Sequence, residues 1–247
     1  MKILISNDDG IFAPGIKALV SAFAKAGHEV YVAAPDSQRS AASHSMTLFR
    51  PLTAKETTFE GAVKAWAIDG TPVDCVKLAV ETLCPEVEAV LSGINHGYNA
   101  GSDVLYSGTV GAAMEGALSG KPALAVSLGY EREDTYDKAA ALAVEVFNKA
   151  KAQAMPAYSL LNLNYPENDE ALGLKATSLR ALRYLETYEP HVGEDGVVQY
   201  TLNGALDKNM EDGEDDYTWL RRGYATVTVL SFDLTHDAAT KALEDIL

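Results

Sequence analysis

The first apolar run, Ile3–Ile5, stops abruptly at Asn7-Asp8-Asp9-Gly10. A run this short reads as a buried strand over Ile3–Ser6. Ile16, Leu19, Val20 and Phe23 then recur at helical spacing and predict a helix over about Gly15–Ala26, closed by Gly27. EVYVAAP (29–35) predicts a second strand, so the chain opens with a β-α-β unit, which implies parallel strands and a right-handed crossover. The alternation continues. Strands are predicted at VKAWAI (63–68), VEAVLSG (87–93), ALAVSLG (123–129) and YSLLNLNYP (158–166). Helices are predicted from Thr71-Pro72 to about Leu83, over Thr109–Ser119 and over Tyr136–Gln153.

Strands alternating with helices over some 160 residues predict an α/β protein, a doubly wound three-layer α/β/α sandwich around a mostly parallel, Rossmann-like sheet. The last third differs. SLRALRYLETYEP and GVVQYTLNG flank HVGEDG and predict a long β-hairpin, followed by a strand at YATVTVLSF and a short helix. The chain is read as one domain, with residues 1–165 as core and about 178–235 as a hairpin extension of the kind that pairs with another subunit.

Composition narrows the classes. A chain of 247 residues with 47% hydrophobic content suits one sizeable soluble domain. No apolar stretch approaches a membrane span, and no secretory signal pattern opens the chain, so a cytoplasmic protein is expected. The two cysteines, Cys75 and Cys84, read as free thiols. Thirty-five acids against 20 bases give a net charge of −15, which disfavours nucleic-acid polymers and anionic membranes as partners. An anionic small molecule remains compatible, because one local cation or helix end reverses the field at a pocket. Residues 207–216, DKNMEDGEDD, read as a solvated acidic loop, with a metal or partner site as the alternative.

Ligands of open parallel sheets sit beyond the carboxyl ends of the strands. Three loops there collect the polar residues: NDDG, PDSQRSAASHS and INHGYNAGSDVLYSGTVGAAMEG. If the chain turns at Asp9-Gly10, Asp8 and Asp9 can face one point. Two close carboxylates then call for a hard divalent cation, or else one of Asn7 and Asp8 closes an Asx-turn; spacing leaves both open. Ser107, Gly108 and Thr109 open a helix after small residues and form a candidate anion site. Arg39, Ser40, Ser43, His44 and Ser45 offer a cationic clamp, hydroxyls and a proton donor, although a loop histidine is usually only solvated, and His96 is read the same way. There is no GxxxxGK[ST], no GxGxxG after the first strand and no GxSxG, which argues against a P-loop, a dinucleotide site and an acyl-transfer triad.

NDDGIFAPG, APDSQRSAASHS, GTPVDCV, SGINHGYNAGSDVLYSGTVGAAMEG and GYATVTVLSFDLT, in this order from residue 3 to about 235, resemble the survival protein SurE family of metal-dependent nucleotidases. The resemblance implies one divalent ion per subunit, Mg²⁺ or Mn²⁺, on Asp8, Asp9, Ser40 and Asn95. It implies phosphate binding by Ser107, Gly108 and Thr109 with Asn99 nearby, and the clamp reading adds Arg39 and His44. Asp8, Asp9 and Asn95 are the candidate catalytic residues. The implied reaction is that of a 5′-nucleotidase, an acid-type phosphatase that hydrolyses nucleoside 5′- or 3′-monophosphates, with metal-activated water as the expected nucleophile and an aspartyl-phosphate as the competitor. A homodimer or homotetramer through the extension is expected. The hairpin tip EPHVGEDGVVQY lacks the basic, arginine-containing character expected of the family, which bears on substrate access and subunit pairing. The alternatives are a non-catalytic nucleotide or sugar-phosphate binder, a short-chain polyphosphate phosphatase, or an interaction protein whose hairpin matters most.

Overall fold

The computed structural model describes all residues except 131–134, 154, 208, 245 and 247. In chain order the elements are β1 (Lys2–Ser6), α1 (Pro14–Lys25), β2 (Glu29–Pro35), β3 (Ala54–Thr57), β4 (Lys64–Ile68), α2 (Pro72–Leu78), β5 (Ala89–His96), α3 (Gly108–Leu118), β6 (Ala123–Leu128), α4 (Tyr136–Ala150), β7 (Ser159–Tyr165), β8 (Leu174–Ala176), β9 (Tyr184–Val192), β10 (Val198–Leu206), α5 (Asp216–Arg221), β11 (Ala225–Ser231) and α6 (Asp237–Glu244). A wider π turn carries α2 on to Leu83, and a 3-10 turn spans Gly101–Leu105.

Among the described residues the main sheet has nine strands in the order β3-β4-β2-β1-β5-β6-β7-β11-β8. The run from β4 to β7 is parallel, while β3 and β11 are antiparallel to their neighbours β4 and β7. Alternate residues of a strand face opposite sides, and β1 divides its side chains that way. Ile3 and Ile5 join the core beneath α1 and α4, and Leu4 joins the core beneath α2. Helix α1 contributes Ile16, Leu19, Val20 and Phe23, all fully buried, with Phe23 edge-on to Phe147 of α4 at 5.6 Å between ring centres. Each such side chain contributes roughly 1.5–3 kcal/mol by leaving water. Helix α3 buries nearly its whole length on the other face, which suits its run of small residues. The predicted three-layer sandwich is therefore the observed one.

Strand order sets the position of the site. From β1 the chain moves outward to β2 and β4, then crosses back over the sheet to place β5 on β1's other side. The carboxyl ends of β1 and β5 thus flank the point where the winding reverses, where an open sheet leaves a crevice.

The hairpin forms but begins later than the pattern suggested, at Tyr184. The backbone N–H groups of Arg180 and Leu182 donate to Asp216 Oδ1 at 3.1 Å and Ser102 Oγ at 3.2 Å, which fastens 180–182 to the body. Among the described residues β9 and β10 pair only with each other, while β11 enters the main sheet. The acidic segment is not simply solvated. Asp207 is buried against Arg183, Asp215 pairs with Arg180 at 2.9 Å and caps α5, and Asp216 is fully buried, accepting from the N–H of Gly101 at 2.7 Å. Glu211, Asp212 and Glu214 are exposed, as expected of a loop. Cys75 and Cys84 are free and buried, as the sequence suggested.

Candidate active site

At the end of β1 the turn is closed by Asn7, whose Nδ2 donates to the Gly10 carbonyl at 2.9 Å. Asn7 is fully buried, so the turn-closing role is filled and Asp8 and Asp9 are left for other work. Both aspartates line a cleft of about 300 Å³ with Gln38, Ser40, Ala41, Asn95, His96, Tyr98, Asn99, Asp103, Tyr106, Ser107 and Tyr130. Three larger grooves, of about 840, 750 and 550 Å³, lie beside α1, near Met1 at the far end of the sheet, and along β8 and β11, and none includes Asp8, Asp9 or Asn95.

Each polar group arrives for a local reason. β5 shifts register against β6 between Ser92 and Asn95, which brings Asn95 to the strand's ligand end. Asn95 Nδ2 donates to the Gly97 carbonyl at 2.8 Å, and no donor among the described residues reaches its Oδ1. Ser40 follows β2 on a loop tied to the first turn by Arg39 N–H donating to the Asp8 carbonyl at 2.7 Å. Ser107 caps α3 by accepting from Val110 N–H at 3.0 Å, so its own hydroxyl hydrogen is available to the cleft. Asn99 sits on a buried amide network. Its Nδ2 donates to Ser127 Oγ at 2.8 Å, its N–H donates to Asn164 Oδ1 at 2.9 Å, and its carbonyl accepts from Asn162 at 2.7 Å.

Gly108 and Thr109 stand one layer behind the cleft. A Cβ on Gly108 would lie 2.9 Å from Asp8 Cβ, so only glycine lets the head of α3 come this close to β1. Thr109 is fully buried and donates its hydroxyl to Asp8 Oδ1. Burial nevertheless pushes Asp8 up to about 6; the Thr109 hydroxyl opposes the shift and the neighbouring Asp9 charge adds to it. Asp9 is also raised, again mainly by burial, against the His96 N–H that donates to its Oδ2 at 3.3 Å. Two adjacent carboxylates, one buried and one half-buried, each raised by loss of water, form an environment that a cation relieves.

A family model described as survival protein SurE matches residues 3–186. The chain belongs to the survival protein SurE family. Relatives named 5′-nucleotidase SurE include one from Synechococcus elongatus, 43% identical over 257 residues and covering 100% of this chain and 99% of the relative. Another, from Desulforudis audaxviator, is 41% identical over 249 residues, covering 99% and 96%. The crystal structure of the SurE protein from Aquifex aeolicus is 33% identical, covers 100% of this chain and 99% of that one, and superposes with a TM-score of 0.85.

Of the residues expected for a SurE site, Asp8, Asp9, Ser40, Asn95, Asn99 and Ser107 meet in the cleft. Arg39 and His44 do not line it: Arg39 pairs with Asp36 at 3.3 Å, and His44 Nε2 lies 3.0 Å from Glu115 Oε2. Arg39 is claimed by a carboxylate of its own loop, and His44 by Glu115 on α3, which the loop sequence does not reveal. Gln38, Tyr98, Asp103, Tyr106 and Tyr130 line the cleft without having been singled out. Tyr106 and Tyr130 are about two-thirds exposed, and Tyr130 stands edge-on to His96 at 5.3 Å. The one hint for Tyr98 and Tyr106 was their place in the polar loop after β5; Tyr130 lies just past β6. The donor set of two carboxylates, an amide oxygen and a hydroxyl is all oxygen, and it fits a hard divalent ion.

Proposed function

We propose that the chain is a divalent-metal-dependent phosphomonoesterase that hydrolyses nucleoside 5′- or 3′-monophosphates to nucleoside and phosphate. The observation that carries this reading is the carboxylate pair, buried Asp8 and half-buried Asp9, sharing a cleft with Asn95, Ser40 and Ser107 at the head of α3. The names of the full-length relatives support it. Asp8, Asp9, Asn95 and Ser40 would hold one Mg²⁺ or Mn²⁺. When bound, the ion supplies Lewis acidity to a phosphoryl oxygen and acidifies water.

The chain's own groups account for the rest. Ser107 and the N-terminal end of α3 receive the phosphoryl oxygens, where the positive helix end stabilises growing charge. Thr109 fixes the Asp8 carboxylate through Oδ1. Asp9 is less buried and keeps Oδ1 available to take a proton from the attacking water; as the ester P–O bond breaks, the departing nucleoside oxygen takes up a proton from solvent and leaves as the hydroxyl. Asn99, locked from beneath by Ser127 and Asn164, provides a fixed polar floor.

We further infer a homodimer or homotetramer. An isolated two-stranded ribbon is marginal in water, yet every residue of β9 is exposed, including Leu185, Tyr188 and Val192. A partner chain on this ribbon would supply the missing burial, with 1–165 as core and the hairpin as assembly arm of one domain. No helix among the described residues is long and apolar enough to cross a membrane. Free, buried Cys75 and Cys84 support a reducing, cytoplasmic setting.

The test is phosphate release from a panel of nucleoside monophosphates and short polyphosphates, before and after EDTA, with Mg²⁺ or Mn²⁺ restored. The reading expects release from monophosphates that stops with EDTA and returns with metal. A protein that binds nucleotides but releases no phosphate under any divalent ion would instead be a binding module. Trapping of a phosphoryl group on Asp8 or Asp9 would overturn direct attack by water.

A further inference from the structure

The loop that carries Ser40 is held in an unfavourable backbone conformation. Ala41 and Ser43 both have φ of 54°, in the left-handed region. A non-glycine residue there is strained and persists only where the surroundings over-determine it. Two such residues fall within three positions, immediately after Ser40.

What holds the loop down is dense and distant in sequence. Ser43 N–H donates to the Tyr106 carbonyl at 3.0 Å, and its Oγ donates to the Leu105 carbonyl at 2.6 Å. Thr71 Oγ1 donates to the Ser45 carbonyl at 2.7 Å. Beside these neutral ties lies a charged one. Glu115, two turns into α3 and 5% exposed, meets His44 Nε2 with Oε2 at 3.0 Å and accepts from Lys77 Nζ with Oε1 at 2.8 Å. The His44 hydrogen bond, with help from Lys77, holds Glu115 below the usual glutamate range despite its burial. One turn earlier, Gly111 lets the loop settle on α3, since a Cβ there would lie 2.6 Å from the Ser43 carbonyl oxygen.

We propose that the His44–Glu115–Lys77 cluster is a latch that presses the strained Ala41–Ser43 backbone onto α3 and so keeps the Ser40 hydroxyl at the cation site. His44 and Glu115 are then positioning residues that act through Ser40, and the candidate clamp histidine works from outside the cleft. This inference rests on the cation reading of the site. Released from the latch, the loop relaxes its left-handed residues and withdraws one ligand.

The experiment is calorimetric titration of Mn²⁺, without substrate, into the wild-type chain, His44→Gln, Glu115→Gln, and each of these combined with Ala41→Gly. His44→Gln leaves Glu115 paired with Lys77, so no unpaired buried charge is created; Glu115→Gln is nearly isosteric and tests the latch from the other side if the first variant does not fold. The expected result is about 10-fold or more loss of Mn²⁺ affinity in either single variant, the scale for groups that orient metal ligands. Ala41→Gly should restore most of it, because glycine occupies the left-handed region without strain. Activity should show the same split: kcat recovers at saturating Mn²⁺ while the Mn²⁺ requirement rises. Unchanged affinity in both single variants overturns the latch. Weakened affinity that Ala41→Gly does not rescue assigns the cluster a packing role and also overturns it. A wild-type chain that binds no Mn²⁺ overturns the cation reading, and the latch with it.

Discussion

Asp9→Asn keeps the shape of the side chain and removes one of two carboxylate charges. The expected outcome is a kcat lowered by at least about 100-fold with circular dichroism unchanged. Thr109→Val removes the buried hydroxyl that serves Asp8, and urea unfolding should show a loss of about 1–3 kcal/mol together with weaker Mn²⁺ binding. Glu115 sets an acid-side prediction. Its folded value lies below the ordinary 4.5, so its charged form stabilises the fold above the unfolded value, and that contribution is lost as pH falls through the lower folded value. Unfolding followed from pH 6 downward should therefore show wild-type stability falling through this window more steeply than that of Glu115→Gln. The sequence revealed the aspartates because they break an apolar run. It did not assign turn closure to Asn7: an Asx-turn uses a side-chain oxygen, which Asn7 and Asp8 both carry, whereas Asn7 closes the turn by donating Nδ2–H to the Gly10 carbonyl. The structure takes Arg39 and His44 out of the cleft: Arg39 turns to Asp36 three residues earlier, and His44 to a buried carboxylate 71 residues away, Glu115, which no local pattern shows.

The head of α3 is the most demanding element. Inside a helix alanine is preferred over glycine by about 1 kcal/mol, so local propensity predicts that Gly108→Ala is harmless or stabilising. The close approach of Asp8 predicts the opposite for function. The new methyl group must push Asp8 aside, and kcat/KM should fall about 10-fold or more even where Tm holds. Long elements with a clear period were legible: β1, α1, β2 and α4 fall close to their predicted limits. β3 was not, because AKET is an exposed edge strand with no apolar run to mark it. Neither were β8 and α5, which are short and owe their form to the neighbours they meet. Asp215 and Asp216 looked like part of a solvated acidic run, although they cap α5 and bind the N–H of Gly101.

The whole molecule carries −15, and its substrate is an anion. Long-range repulsion then slows encounter, and added salt screens it. Between about 10 and 150 mM NaCl, kcat/KM for a nucleoside monophosphate should rise, unlike the fall seen where a basic surface steers an anion in. On the proposed assembly through the hairpin, replacing 186–203 by a short turn should give monomers in sedimentation velocity while leaving Mn²⁺ binding in place. The fold class was legible from the alternation of elements, but the strand order was not, because local patterns do not say which strand lies beside which. That order has a consequence for synthesis. Every residue lining the cleft has left the ribosome once position 130 has emerged, and the parallel run from β4 to β7 is complete by Tyr165. The outer edge of β7 nonetheless waits for β11, sixty residues later, and β8 waits with it. For that interval the nascent chain presents a finished catalytic crevice beside an open row of strand N–H and C=O groups, the kind of edge that invites a neighbouring chain. The C-terminal strand is therefore the closing stitch of the sheet, and a chain cut before it should be recovered as aggregate rather than as a smaller enzyme.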